Sequence, residues 1–436
     1  MFFERPEAGR RAVLLHLTLK RPDAGAGLDS AAECAELART AEIDVVARVG
    51  GSRSAPHPRW YVGEGKLEEL AETVRTSEAE LVLANHDLSP GQQRNLEKRL
   101  GCRVMTRTEL ILHIFADRAR TYEGKLQVEL AQLNHAQTRL VRGWTHLDRQ
   151  KGGIGLRGAG ETQLELDQRM ISERIKGLEK KLGTVARRRG QGRRRRQRGH
   201  VRSVSLVGYT NAGKSTLFNA LTTSRVVAED KLFATLDPTM RRLEVPGVGD
   251  VVLGDTVGFI SHLPHSLVDA FKATLEEVAN ADLLLHVVDA SAEDVGSRIE
   301  QVDAVLEEIG ADAIPTIMVW NKIDALPGDS AGAAAAGARP DHGVAVSART
   351  GAGLQALIET IGERLGVSAP TEILLTPGEG RTRAWLYGIG AVLDEEIRED
   401  GSLALTVQAD AELLARLARR QVPPDMGFVA PQQSQP

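Results

Sequence analysis

Apolar positions in the first quarter of the chain switch between two periods. Residues 12–19, 43–47 and 80–84 are short apolar runs of strand length. Segments 29–40, 65–77 and 89–100 between them carry apolar residues at helical spacing, and Ser89 with Pro90 supplies a cap and a first-turn residue for the third. Strands alternating with helices predict a small α/β unit with a largely parallel sheet over residues 1–115.

The period then becomes helical for a long stretch. Leu126, Leu130, Leu133 and Leu140 share one face from Glu123 to Arg142, and from Thr162 onward Leu164, Ile171, Ile175, Leu178, Leu182 and Val185 keep heptad spacing. Two such helices predict a hairpin over 116–200, too short to demand an independent coiled coil. Pairing within one chain, and so a monomer, is the expectation. Gly152, Gly153, Gly155, Gly158 and Gly160 make the connection a loop that holds no single shape by itself. Arg142, Arg149, Lys151 and Arg157 lie in or beside it, which suits a tip that orders on RNA.

Residues 201–366 return to buried strands and helices, ending in a helix over about 353–365, with a low-complexity surface loop over 331–338. After Pro370 a small α+β unit is expected over 370–425. Its strands fall at 382–397 and 402–407 around an Asp400, Gly401 turn, and Asp410 caps a helix to Arg419. The Pro- and Gln-rich residues 426–436 are expected to be disordered.

Chemistry is concentrated in the third segment. The apolar run Val204 to Val207 ends in Gly208, Tyr209, Thr210, Asn211, Ala212, Gly213, Lys214, Ser215 and Thr216, a G-x-x-x-x-G-K-S phosphate loop between strand and helix. Glycines let backbone N–H groups turn in on phosphate oxygens, and the helix N-terminus adds its positive dipole end. Lys214 is placed to reach the β and γ phosphates and Ser215 to ligate Mg²⁺. The base is read downstream. A strand over 316–320 ends in Asn321, Lys322, Ile323 and Asp324, at the edge where open parallel sheets bind ligands. The Asp324 carboxylate can accept from N1–H and N2–H₂ of guanine, which adenine cannot supply, so GTP is the expected nucleotide and an RNA-remodelling ATPase is disfavoured. Asn321 can brace the loop, and the Lys322 stem can lie along the base.

Between these motifs stand Phe233, Ala234, Thr235, Leu236 and Asp237, and Asp255, Thr256, Val257 and Gly258. Asp255 can hold Mg²⁺ through water and the Gly258 N–H can meet the γ phosphate. Thr235 is the candidate hydroxyl that joins the metal shell only when γ phosphate is present, with Thr239 as the alternative. Lys214, Thr235 and Gly258 are thus the expected catalytic set. Ser347, Ala348 and Arg349 follow the next strand and resemble the last GTPase motif, whose backbone supports the base.

Composition sets limits on partners and compartment. Across 436 residues, 42% hydrophobic and 26% charged positions fit a globular protein. No apolar run approaches the ~18 residues of a membrane span, and the first residues lack a signal core, so a cytoplasmic location, free or peripheral to membranes, is expected. Cys34 and Cys102 are isolated and suit neither a disulfide framework nor a metal site. Eight arginines lie between Arg187 and Arg198; without them the net charge of −4 would be −12. A polycationic linker on an acidic protein points to a polyanionic partner, and the lack of interleaved aromatics favours phosphate over base contacts.

The five ordered motifs resemble the translation-factor-related GTPases, and within them the HflX family. The glycine loop followed by Glu161, Thr162, Gln163, Leu164, Glu165, Leu166 and Asp167 carries the resemblance, with residues 124–133, 233–239 and 255–261. It spans roughly residues 60–365. It implies a GTP-hydrolysing switch that binds the large ribosomal subunit and its RNA through the glycine loop and the arginine run, and that splits or rescues stalled ribosomes. The alternative is a guanine-nucleotide-regulated RNA-binding or assembly protein in which hydrolysis is incidental. The sequence departs from the family at Thr106, where Asp is expected before Arg107 and Thr108. Residues 62–66 have the wrong spacing for a phosphate loop, although some relatives have been thought to use a second nucleotide site in this region. Phe259 stands where small GTPases place the glutamine that orients attacking water, so slow turnover in isolation is expected unless His262 or His265 replaces it.

Overall fold

Side-chain burial assembles the chain around three sheets. The computed structural model describes residues 10–19, 30–143, 159–198, 201–222, 232–233, 235–246, 248–260, 275–326, 343–366, 371–376, 378–388, 391–398, 401–407 and 417.

The N-terminal sheet is parallel, in the order β2-β1-β3-β4, from β1 (Arg11–Leu19), β2 (Asp44–Arg53), β3 (Leu81–Ala84) and β4 (Arg103–Thr106). Helices α1 (Ser30–Thr40), α2 (Glu64–Thr76), α3 (Pro90–Leu100) and α4 (Arg107–Arg118) connect and flank it. The sequence pattern omitted β4 and α4. Only Val104 and Met105 are apolar in that strand, too few to show a period. Thr106 explains the departure noted above. Its hydroxyl accepts from Glu109 N and its own N–H donates to Glu109 Oε2 at 2.9 Å, a capping box that starts α4. Thr and Asp both serve as N-caps, so this role survives the change.

Helices α5 (Tyr122–Gly143) and α6 (Ala159–Arg198) pair as the expected hairpin. Leu126, Leu130, Leu133 and Leu178 form its apolar seam, flanked by Ile171, Ile175 and Leu182. One expectation needs correcting. The arginine run is not a linker outside the helix, because α6 continues through Gly190 and Gly192 to Arg198. Once nucleated, the helix gains a hydrogen bond with each added residue, and it runs past two glycines whose propensity opposes it. Residues 144–158, most of the glycine loop, lie outside the described residues, and Gly160 belongs to the first turn of α6.

The central sheet runs β10-β9-β8-β5-β7-β6, with β5 (Ser203–Val207), β7 (Gly249–Asp255), β8 (Leu283–Asp289), β9 (Thr316–Asn321) and β10 (Gly343–Ala345) parallel and β6 (Thr239–Val245) antiparallel at the edge. Its two faces are packed differently. On one, Leu206 and Leu285 of the sheet pack against Leu217 and Phe218 of α7 (Lys214–Thr222) and Leu357 of the helix Leu354–Arg364. The other merges with the N-terminal sheet: Leu14, Leu37 and Phe115 share a continuous core with Tyr209, Phe233, Leu236, Phe259 and Leu284.

The third sheet, β11-β13-β12, is antiparallel, built from β11 (Thr371–Leu375), β12 (Val392–Ile397) and β13 (Leu403–Val407). A single strand over 382–397 is not found. Gly380–Gly388 is a helix that buries Leu386 against Leu405 and Val407, and only Val392–Ile397 pairs with β13. Aromatics beside Leu386 resemble a strand locally, and packing under the sheet overrides that preference. Apart from Leu417, the expected helix 410–419 lies outside the described residues, as do 331–338 and 426–436.

Candidate nucleotide site

Strand β5 delivers a fully buried Val207 to the sheet edge, and Gly208 turns the chain there with φ 143°. A Cβ at Gly208 would lie 2.2 Å from the Val287 carbonyl oxygen, so only glycine lets the loop pass β8. Gly213 has φ 90° and a Cβ there would lie 2.3 Å from Asn321 Nδ2. The loop then opens α7, whose first side chain, Lys214, is buried. Its ammonium donates to the carbonyls of Gly208 (3.0 Å) and Tyr209 (2.8 Å). Burial lowers its pKa to about 8, with Asp255 opposing the shift. Below it on β8, burial and then the Lys214 charge push the wholly buried His286 down to about 4.

Three oxygen donors meet beside Lys214. Ser215 Oγ lies 2.6 Å from Thr235 Oγ1, and the two hydroxyls reach Asp255 Oδ2 at 2.7 and 2.8 Å. Burial raises the pKa of Asp255, against the opposing effects of Ser215, Lys214 and Thr235. Its Oδ1 is buried without a hydrogen-bond partner among the described residues. An all-oxygen set with one unpartnered carboxylate oxygen suits a hard cation such as Mg²⁺. Thr239, the alternative to Thr235, sits in β6 across from Asp255 in the ladder.

After Asp255 the Thr256 hydroxyl donates to the Leu206 carbonyl at 2.6 Å, and Val257 is buried. Gly258 follows, where a Cβ would meet Lys214 Nζ and Thr210 Cα at 2.9 Å. Thr210 N–H donates to the Phe259 carbonyl at 2.7 Å and Phe259 N–H to the Gly208 carbonyl at 3.2 Å, pinning this segment along the phosphate loop. The Phe259 ring is in the core, while His262 and His265 lie outside the described residues.

On the opposite side Asn321 donates from Nδ2 to the Ala212 carbonyl at 2.9 Å and accepts the Ala348 N–H at 3.0 Å, joining three motifs through one amide. Lys322 takes φ 64°, which lets its ammonium reach Asp289 Oδ2 at 2.7 Å. Burial raises Asp289, but bonds from Lys322 and Ser291 outweigh it and hold the carboxyl below its usual range. Ile323 is buried, and Asp324 Oδ1 accepts from the Ser347 hydroxyl at 2.7 Å.

Asn211, with φ 60°, Thr216 and Arg349 are solvent-exposed, and Ala234 lies outside the described residues. Other motif residues turn away from the cleft. The Tyr209 hydroxyl turns to Glu33 in α1, Phe233 meets Phe115 edge-on at 4.7 Å between ring centroids, and Leu236 is buried in the shared core. Asp237 is bonded at the start of α5 instead of at the phosphate loop. Asp289 and Glu33 were missed by the sequence reading. Asp289 ends a central strand at the ligand-binding edge, a detectable signal; Glu33 gives none.

A phosphate loop on the middle strand, a convergent hydroxyl–carboxylate set and a guanine-type pocket define the class, a P-loop GTPase. Residues 203–322 match the model for 50S ribosome-binding GTPases, 29–116 and 118–196 the N-terminal and middle regions of GTP-binding GTPases, and 334–425 the HflX C-terminal domain. The chain belongs to the HflX family of GTPases. It is 51% identical over 420 residues to GTPase HflX of Escherichia coli, covering 96% of this chain and 98% of that one. With GTPase HflX of Magnetococcus marinus it shares 46% over 416 residues, covering 95% and 96%. A solved GTP-binding protein from Sulfolobus solfataricus in complex with GDP aligns at 23% identity and TM-score 0.42, over 81% of this chain and 98% of that one.

Proposed function

We propose that this GTPase is a switch that docks on the large ribosomal subunit in its GTP state and splits or rescues stalled ribosomes, with hydrolysis stimulated by that subunit. The convergence of Ser215, Thr235 and Asp255 carries the reading, since Thr235 reaches the site from a segment separate from the phosphate loop. A metal shell completed by such a residue distinguishes triphosphate from diphosphate. Ser215 and Thr235 would hold Mg²⁺ directly and Asp255 through water. Bound there, Mg²⁺ would neutralise charge on the β and γ phosphate oxygens. Lys214, aligned by two carbonyls, would supply a further positive charge, and the Gly258 N–H would donate to a γ phosphate oxygen. Asn321 and Asp324 orient guanine.

The Phe259 ring lies in the core and can neither donate to nor accept from an attacking water, which supports slow turnover in isolation. The matched family's description as 50S ribosome-binding supports the partner, as does the basic end of α6. A cytoplasmic location follows from the same reading. Among the described residues no helix is long and apolar enough to cross a membrane. The test is sedimentation with separated ribosomal subunits in GTP-analogue, GDP and nucleotide-free states, with hydrolysis measured in parallel. Analogue-dependent binding to the large subunit and faster hydrolysis are expected. Binding that ignores nucleotide, or a rate the large subunit leaves unchanged, would overturn the switch.

A further inference from the structure

Asp237 belongs by motif to the nucleotide-facing segment, yet its carboxylate points out of the site. Its Oδ2 accepts from the backbone N–H groups of Arg120 (3.0 Å) and Thr121 (2.9 Å), and its Oδ1 accepts from the Thr121 hydroxyl. That hydroxyl in turn accepts from Gly124 N–H at 3.0 Å, the bond that caps α5. The anion therefore sits at the positive end of a 22-residue helix, where charge-assisted bonds are strongest and dipole and charge agree.

Thr235 lies only two residues away, in contact with Ser215 and Asp255. Two residues of extended chain span at most about 7 Å, so the clasp leaves Thr235 little room to withdraw. On the other side, Leu232 N–H donates to Thr40 Oγ1 at 3.2 Å and Phe233 packs on Phe115. The segment bearing Thr235 is thus fastened at both ends to elements outside the central sheet. Gly124 makes room for the clasp, since a Cβ there would lie 2.1 Å from Asp237 Oδ1.

We propose that Asp237 is a positioning residue: its clasp on Thr121 holds Thr235 in the metal shell and ties the nucleotide state of the site to the first helix of the hairpin. This rests on reading Thr235 as the hydroxyl that senses γ phosphate. On that reading GDP would not engage Thr235, so the clasp acts on the triphosphate state alone.

Four variants of the whole protein test it: Asp237→Ala, Gly124→Ala, Thr121→Ala and Thr121→Ser. Gly124→Ala displaces the carboxylate while favouring the helix, which separates the clasp from loss of fold. Fluorescent GMPPNP and GDP affinities are titrated against Mg²⁺, and single-turnover hydrolysis is followed, with Thr235→Ala alongside. Loss of the clasp predicts about tenfold weaker GMPPNP binding at limiting Mg²⁺ and about tenfold slower hydrolysis, with GDP affinity unchanged. Excess Mg²⁺ should recover GMPPNP binding, and Thr121→Ser should behave as wild type. If Thr235→Ala loses both properties while Asp237→Ala and Gly124→Ala keep them, the clasp has no role. Parallel loss of GDP affinity would mean general damage and would equally overturn it. If Thr235→Ala itself changes nothing, the reading of Thr235 fails, whatever the clasp variants do.

Discussion

The Tyr209 hydroxyl, one residue into the phosphate loop, donates to the Glu33 carboxylate of α1 across the junction between the N-terminal and central sheets. Glu33 also takes the Arg107 guanidinium at 2.6 Å, with the two side chains 13% and 7% exposed, and Arg107 donates to Asn85 at 3.1 Å. The Arg298 guanidinium stands 5.3 Å from the Tyr209 ring centre. Such a network adds little stability over an apolar replacement, but removing one member leaves a buried charge without its partner.

Glu33→Ala should therefore cost about 3–5 kcal/mol, because Arg107 stays buried. Tyr209→Phe, which deletes a single hydroxyl, should cost about 1–2 kcal/mol. Urea unfolding of both variants checks the ordering, and equal losses would mean that the ion pair is solvated in solution.

Asp324→Asn should weaken GTP roughly 10- to 100-fold, the worth of a charge-assisted pair, and admit xanthine nucleotides. An amide can donate to the xanthine 2-oxo group, which a carboxylate repels. The bond from Ser347 keeps position 324 in place in either form. Competition by XTP against labelled GTP measures the exchange, and no gain for XTP would remove Asp324 from base reading.

Lys214 gives the site a proton linkage. Its folded pKa of about 8 lies below the ordinary 10.5, so the folded nucleotide-free chain binds fewer protons than the unfolded chain between those values. Its contribution to stability rises with pH through that window, and is lost as pH falls through 8. A polyphosphate restores the ammonium, so GTP binding at about pH 9 should take up a proton. Calorimetry in two buffers of different ionisation enthalpy would detect it. Identical heats would contradict a depressed Lys214, and Lys214→Met should abolish the difference.

The arginines of α6 should divide into two kinds. Arg189 already pairs with the buried Glu123 at 2.8 Å; burial raises that carboxyl and Arg189 opposes it. Arg189→Gln should loosen the hairpin and show in thermal unfolding. Neutralising Arg193, Arg194, Arg195 and Arg196 should instead spare stability and reduce the salt slope of ribosome binding by up to about 4, one for each phosphate that no longer meets an arginine. An unchanged slope would move the RNA contact to the glycine loop.

Phe259→Gln should lower stability by about 2–4 kcal/mol without raising the unstimulated rate, since the ring fills the shared core and a glutamine there buries its amide. A raised rate would mean that the new side chain leaves the core for the attacking water.

The sequence by itself determined what contiguous residues encode. The phosphate loop lies within nine residues, its glycines are demanded by local backbone geometry, and the hairpin seam repeats every turn or two, so each could be read without knowing its neighbours. The same local reading failed where a period was too short, at β4, or where packing overrode it, at Gly380–Gly388 and through the glycines of α6.

Only the tertiary structure decided which motif residues face the cleft. Tyr209 and Glu33 are 176 positions apart and Asp237 and Thr121 are 116 apart, so no periodicity links them. Thr235 and Asp237 look equivalent along the chain, yet one reaches Ser215 and Asp255 and the other caps α5. The physical reason is that backbone conformation is set mainly by near neighbours. The direction of a side chain in a loop is set by whichever surface packs against it, and here that surface belongs to helix α1 and the start of α5, more than a hundred residues upstream.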